Sequence, residues 1–243
     1  MSKRQEIRAH RKKEQLRNRI LIILLVIAGA ALITFVLILP GLKGSVKNTI
    51  VQITPAVRNV AVNGSSMGDP KAPVKMDIWE DFQCSGCMSY SQSTESQIVQ
   101  TYVEAGKVYY TFRFYPFIDG GRGESHQAAN AAKCASAQGR FWDYHDILFA
   151  NWKGENVGSY TNDLLVTYAK SINLDMTAFN QCFQANTYSD QIQQDIDAGS
   201  GKGVPPTPGI FVNGIKVVSS KGENYIPSFD DISNAIEAAL TGK

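Results

Sequence analysis

Cys84 and Cys87 stand three residues apart in the run Asp81-Phe82-Gln83-Cys84-Ser85-Gly86-Cys87. The apolar stretch before them, Val74–Phe82, reads as a strand, and the stretch after them, to about Glu104, as a helix stopped by Gly106. A thiol at a helix N-terminus meets unpaired N–H groups and the positive end of the macrodipole, and both favour its thiolate. The thiolate is the species that attacks a disulfide, and a second thiol one turn further on can resolve the mixed disulfide that forms. The pair therefore reads as redox-active, Cys84 attacking and Cys87 resolving. A structural bridge or half of a zinc site are the alternatives. Zinc needs a second pair at short spacing, whereas the other two cysteines lie at 134 and 182. No metal is expected.

A second signal is Val204-Pro205-Pro206-Thr207-Pro208-Gly209, directly before the strand-like Ile210-Phe211-Val212. A proline at such a place can hold a cis bond. If this loop faces the thiols, the backbone of Thr207 can hydrogen-bond an extended substrate segment, as in strand addition.

The elements that must position these residues are a strand over Val74–Phe82, the helix after Cys84, and a strand over Lys107–Phe117. A helical block follows over about 122–200, with helices at Ser125–Gln138, Phe141–Ala150, Thr161–Ser171, Met176–Ala185 and Ser189–Asp197. Strands at Gly209–Val212 and Lys216–Ser219 join through Asn213-Gly214, a strong hairpin signal, and Ser228 caps a last helix to Leu240. The first strand, helix and second strand should form a right-handed parallel crossover, and the hairpin completes a four-stranded mixed sheet. Val57–Val62 is a candidate peripheral strand.

Charge is split along the chain. Residues 1–19 carry eight basic and two acidic side chains, while the other 224 residues carry sixteen basic and twenty acidic ones. A body with an acidic excess argues against nucleic-acid binding. Ile20–Leu39 follows the basic tail without a charge, long enough as a helix to span roughly 30 Å. The sequence thus predicts a basic cytoplasmic tail (1–19), one transmembrane signal-anchor helix (20–39), a linker (40–56) and an extracytoplasmic α/β domain (57–243). A cleaved secretory signal with Ala28-Gly29-Ala30 at its cleavage site is the rival reading. Either places the domain where disulfides persist. Two leftover cysteines then pair most economically with each other, Cys134 with Cys182, the alternative being two buried thiols.

Four ordered motifs carry a family resemblance: Gly68-Asp69-Pro70-Lys71-Ala72-Pro73-Val74; Asp81-Phe82-Gln83-Cys84-x-x-Cys87; Gly139-x-Phe141-Trp142-x-Tyr144-His145-Asp146-x-Leu148-Phe149; and Val204-x-x-Thr207-Pro208-x-x-Phe211-Val212-Asn213-Gly214. Together they resemble the bacterial DsbA-like thiol–disulfide oxidoreductases, in the membrane-anchored, BdbD-type branch of the thioredoxin superfamily. The resemblance covers about residues 57–241. It implies a thioredoxin fold with a helical insertion, Pro208 as a cis-proline opposite the cysteines, and no bound cofactor. Reduced exported proteins would be the substrates, and a quinone-linked membrane protein, DsbB-like or VKOR-like, would reoxidise the pair. An oxidase is the leading function. A reductase or isomerase of exported disulfides, and a non-catalytic binding module, are the alternatives.

Two departures from the family pattern stand out. The family often places a buried acid six residues before the first Cys, where this chain has Ile78. Glu80 shares that strand face and is a candidate for proton handling, the alternative being a solvated side chain. The dipeptide between the cysteines is Ser85-Gly86, which provides no histidine to stabilise a thiolate. His145, between Tyr144 and Asp146, reads as a packed histidine rather than a catalytic one.

Overall fold

The computed structural model describes residues 3–38, 50–54, 56, 58–119, 123–204 and 206–242. Contacts divide the chain into two units, Met1–Thr49 and Ile50–Lys243. The first holds one helix, α1 (Lys3–Ile38). Among the described residues no helix is long and apolar enough to cross a membrane. The apolar side chains described over Ile20–Ala30 of α1 are exposed. Leu39, residues 40–49 of the expected linker, and Val57 lie outside the described residues.

The second unit is built on a six-stranded sheet in the order β1-β2-β4-β3-β5-β6. Its strands are β1 (Val62–Asn63), β2 (Ser66–Met67), β3 (Val74–Glu80), β4 (Val108–Phe114), β5 (Gly209–Val212) and β6 (Ile215–Lys216). β3 and β4 are parallel, with Val74 opposite Val108 and Glu80 opposite Phe114; every other pairing is antiparallel. Two strands beyond the four expected come from a small hairpin that pairs Ser66 with Thr111 and Met67 with Tyr110. The peripheral strand expected at Val57–Val62 is not found: residues 58–61 are irregular, and β1 overlaps the expected range at Val62 alone. Two-residue strands show no alternation to read, and the Ser66–Thr111 hydroxyl contact at 3.0 Å holds β2 to the sheet. The Asn213-Gly214 turn sits where expected, both residues at positive φ, and β6 begins directly after it at Ile215.

Side chains alternate along β3. Val74, Met76, Ile78 and Glu80 face the main core, and Trp79 faces the opposite side. Two helices outside the insertion cover the main face. One is α2 (Ser85–Tyr90), which continues through the π-helical segments Ser91–Glu95 and Val99–Val103 on either side of a short α segment, Ser96–Ile98. The other is α8 (Phe229–Thr241), opened by a Ser228–Asp231 capping box.

Between β4 and β5 lies the helical insertion: α3 (Glu124–Ser136), α4 (Phe141–Ala150), α5 (Asn162–Ser171), α6 (Met176–Gln184) and α7 (Ser189–Gly201). Thr161 and Asp175 cap α5 and α6 with their side-chain oxygens. Cys134 on α3 and Cys182 on α6 are bonded to each other, with Cα atoms 5.9 Å apart. α7 covers the Trp79 face, and a Cβ at Gly199 would stand 2.7 Å from the Trp79 ring, so that crossing needs glycine. The domain also begins earlier than 57. Ile50 and Ile53 pack on the core, and the Asn151 side chain holds Val51 through bonds of 2.7 and 3.0 Å.

Candidate functional site

β3 ends at Glu80, and the turn that follows is fixed by one carboxylate. Asp81 accepts hydrogen bonds from the backbone N–H of Gln83, Phe117 and Ile118 and from the Ser125 hydroxyl, at 2.8–2.9 Å. Burial raises its pKa while these bonds hold it down. Gln83 adds a second clamp. Its amide bonds to Ser125 at 3.0 Å and accepts from the Asn156 N–H at 2.7 Å, and its carbonyl accepts from the Trp152 indole at 2.7 Å. Both clamps join the turn to the insertion. Cys84 is thereby delivered as the N-cap of α2, with the backbone N–H groups of Gly86 and Cys87 beside its sulfur.

Both thiols are free. Cys84 is 8% exposed and Cys87 fully buried. The hydrogen bond from the Cys87 thiol lowers the pKa of Cys84 to about 6 against the cost of burial, helped by Thr207 and by the Cys87 and Gly86 N–H groups. Burial pushes Cys87 the other way, well above the ordinary thiol range. The helix start thus separates a thiolate from a protonated thiol.

The Thr207–Pro208 bond is cis, and the Thr207 carbonyl lies 3.5 Å from the Cys84 sulfur. The Thr207 hydroxyl is buried, and Thr207 is among the groups that lower the Cys84 pKa. Gly86 is explained by the same loop: a Cβ there would stand 3.1 Å from the Thr207 carbonyl oxygen and 3.1 Å from Ile226. An open recess of about 150 Å³ runs from Thr207 and Pro208 past Val217 to Tyr225 and Ile226, whose side chains are largely exposed.

Glu80 is not solvated. It is 1% exposed, no nitrogen or oxygen atom bonds either carboxyl oxygen, and the Cys87 thiol is the donor that acts on it. Burial raises its pKa well above the ordinary range, Glu95 and Cys84 add to this, and the Cys87 thiol opposes it. Ile78 occupies the family's acidic position as a fully buried apolar residue, and Glu80 lies one step further along the same face. His145 is fully buried among Phe82, Phe112, Phe141, Trp142 and Phe149 and bonds Asp146 at 3.0 Å. Glu95, Gln83 and Trp152 were not visible as site residues in the sequence. Their placement depends on a π-helical step and on the fold of the insertion.

Residues 61–238 match the family model described as Thioredoxin. Over 177 residues the chain is 27% identical to the probable disulfide bond formation protein D of Bacillus cereus, covering 72% of this chain and 78% of that protein. Among solved structures, oxidised BdbD from Bacillus subtilis superposes with a TM-score of 0.65 at 24% identity, covering 80% of this chain and 100% of that one. DsbA of Chlamydia trachomatis superposes with a TM-score of 0.61 at 22% identity, covering 79% and 98%. At these identities the structural likenesses establish the fold.

Proposed function

The chain belongs to the DsbA-like branch of the thioredoxin family and is a thiol–disulfide oxidoreductase; we propose that it is an oxidase, introducing disulfides into exported proteins at the outer face of the cytoplasmic membrane. The observation that carries this reading is the unequal pair of thiols. A Cys84 thiol whose pKa is lowered to about 6 stabilises the reduced enzyme relative to an ordinary dithiol, which shifts the Cys84–Cys87 disulfide toward giving up its oxidation.

In the reaction, a client thiolate attacks the Cys84 sulfur. Its electron pair forms the new S–S bond, and the pair of the Cys84–Cys87 bond departs on the Cys87 sulfur. Cys87, whose buried site disfavours charge, then takes a proton, and Glu80, the buried acid that acts on it directly, can provide it. A second client thiolate attacks the client sulfur of the mixed disulfide and releases Cys84 as the thiolate. The client leaves oxidised by two electrons, and one of its two thiol protons is released to solution. The recess beside Thr207 and Pro208, with Tyr225 and Ile226 on its wall, is the surface on which an extended client segment lies.

Reoxidation in this reading falls to a quinone-linked membrane protein, DsbB-like or VKOR-like. The basic residues 1–19 and the uncharged run Ile20–Leu39 support a cytoplasmic N-terminus and a single anchor.

The test is the potential of the Cys84–Cys87 pair with a refolding assay on reduced ribonuclease. An oxidase gives a potential well above thioredoxin's ~−270 mV and activity that Cys84→Ser abolishes. A thioredoxin-like potential would make the protein a reductase, and equal activity in the variant would make it a binding module.

A further inference from the structure

Nine buried side-chain polar atoms among the described residues lack a hydrogen bond of good geometry, and seven of them belong to groups that act on one another beneath the thiols, the Tyr90 and Tyr110 hydroxyls facing each other. They are both oxygens of Glu80, the hydroxyls of Tyr90 and Tyr110, one oxygen of Glu95, Nε1 of Trp142 and Nε2 of His145. Orphaned polar atoms of this kind cost about 1–3 kcal/mol each, and proteins that keep several together satisfy them with internal water. The sheet explains why they meet. Glu80 and Tyr110 share the core face, since Glu80 is level with Phe114 and Tyr110 with Met76. Tyr90 and Glu95 come down on that face from the helix that begins at Cys84, and Trp142 and His145 come from α4, with the Tyr110 and Trp142 rings 5.8 Å apart.

Glu95 is brought there by the helix geometry itself. The buried positions run Cys87, Tyr90, Glu95, Ile98, so one step is five residues long, and it spans the π-helical segment Ser91–Glu95. An uninterrupted α-helix would present Thr94, which is only partly buried. At its outer end Glu95 reaches a recess of about 250 Å³ that opens to solvent beside Arg58, Ser91, Gln100, Glu104 and Asp146. The Ser91 hydroxyl donates to Glu95 at 3.0 Å, and Nε2 of His145 stands 3.8 Å away. On the other side of His145, Asp146 holds Arg58 through bonds of 2.7 and 3.0 Å.

We propose that Glu95 is a second proton-handling residue of the thiol chemistry, passing protons between the Glu80–Cys87 pair and solvent at the Arg58–Asp146 recess. This rests on the oxidoreductase reading above. When Cys87 leaves the disulfide it takes the proton of Glu80, and Glu80 becomes a carboxylate. Glu80 regains a proton from Glu95 by way of the Tyr90 and Tyr110 hydroxyls, and Glu95 is refilled from solvent. In reoxidation the same proton leaves Cys87 by the reverse route.

The groups facing Glu95 are Tyr90 and Ser91 on its own helix, Glu80 on β3, Tyr110 on β4, His145 and Asp146 on α4, and Arg58. Burial comes first in raising the Glu95 pKa, His145 opposes it, and Asp146 adds to it. Glu95 in turn helps to raise the pKa of Glu80. Removing its charge should therefore move the pH limb set by Glu80 toward lower pH.

The experiment uses the full-length protein with Glu95→Gln, Glu95→Asp and Glu80→Gln. The rate of mixed-disulfide formation with a reduced cysteine peptide is followed from pH 5 to 9, with and without added imidazole as an external proton carrier. The expected result is a limb displaced to lower pH in Glu95→Gln and a rate loss of roughly five- to tenfold. Imidazole and the Asp variant should each restore most of that rate. A Glu95→Gln profile that superimposes on wild type, or a loss that neither imidazole nor the Asp variant repairs, overturns the proposal. The redox difference infrared spectrum separates this failure from failure of the functional reading. It reports a carboxylic-acid band change on reduction of Cys84–Cys87 even if no client is turned over, and an unaltered band in Glu95→Gln also overturns the proposal.

Discussion

The indole nitrogen of Trp152 donates to the backbone carbonyl of Gln83 across 2.7 Å, tying the loop after α4 to the residue that precedes Cys84. The helical insertion is therefore part of what holds the reactive turn. Trp152→Phe keeps an aromatic ring, though a smaller one, and leaves the Gln83 carbonyl without this donor. It should cost about 1–2 kcal/mol in urea unfolding and raise the Cys84 pKa as the turn loosens. Thiolate absorbance against pH checks the second effect, and an unchanged Cys84 titration would show that the insertion merely decorates the fold.

Gly86 allows the cis-proline loop to approach the thiols. A Cβ at 86 must displace either Ile226 or the Thr207 carbonyl, each 3.1 Å away. Gly86→Ala should move Thr207 from Cys84, raise the thiol pKa above about 6 and slow exchange at neutral pH several-fold. Shortening the flexible neighbour with Ile226→Ala should recover part of the loss. The readout is alkylation rate against pH for the single and double variants.

Stability of the reduced protein should depend on pH with a definite sign. The Cys84 pKa falls from 9.0 to about 6 on folding, so the thiolate's stabilisation is complete above pH 9 and is lost as pH falls through 6. Glu80 contributes oppositely: its folded pKa is raised, so the folded state loses stability as pH rises through that value. Denaturant titrations at pH 5 and pH 8 should show the reduced form gaining on the oxidised form by on the order of a few kcal/mol at the higher pH. Glu80→Gln should make both forms more stable at pH 8. If that variant is destabilised instead, the buried carboxylate is not a burden on the fold.

The bond between Cys134 and Cys182 closes a loop of 48 residues in sequence separation. The chain-entropy relation gives about 4 kcal/mol for such a closure. The double variant Cys134→Ala, Cys182→Ala should unfold at a lower urea midpoint by a corresponding amount. Its Cys84 pKa should be unchanged, since neither sulfur is among the groups that act on Cys84. A shifted Cys84 titration would place the pair in the redox chemistry.

Much of this architecture is legible in the residues. β3, the helix after Cys84 and the hairpin at Asn213-Gly214 follow from apolar runs bounded by turn residues, and α4 runs over Phe141–Ala150 as its pattern predicts. The β1–β2 hairpin is not, because strands of two residues carry no period. Nor was the burial of Glu80: alternation assigns it a face but does not say that a helix covers the strand's end. Glu95 is hidden for a further reason. A regular 3.6-residue period places Ser91 and Thr94 nearest the Tyr90 stripe, and the sequence carries no mark of the π-helical step that substitutes Glu95.

Thr207, one of the groups that lower the Cys84 pKa, lies 123 residues further along the chain. A chain made from its N-terminus exposes Cys84 long before Thr207 exists. At roughly 5–20 residues per second the interval is about 6–25 s. Throughout it Cys84 is an ordinary thiol with a pKa near 9.0, mostly protonated and slow to react. Part of its activation therefore waits for the last quarter of the polypeptide, which guards the nascent protein against premature coupling to its neighbours.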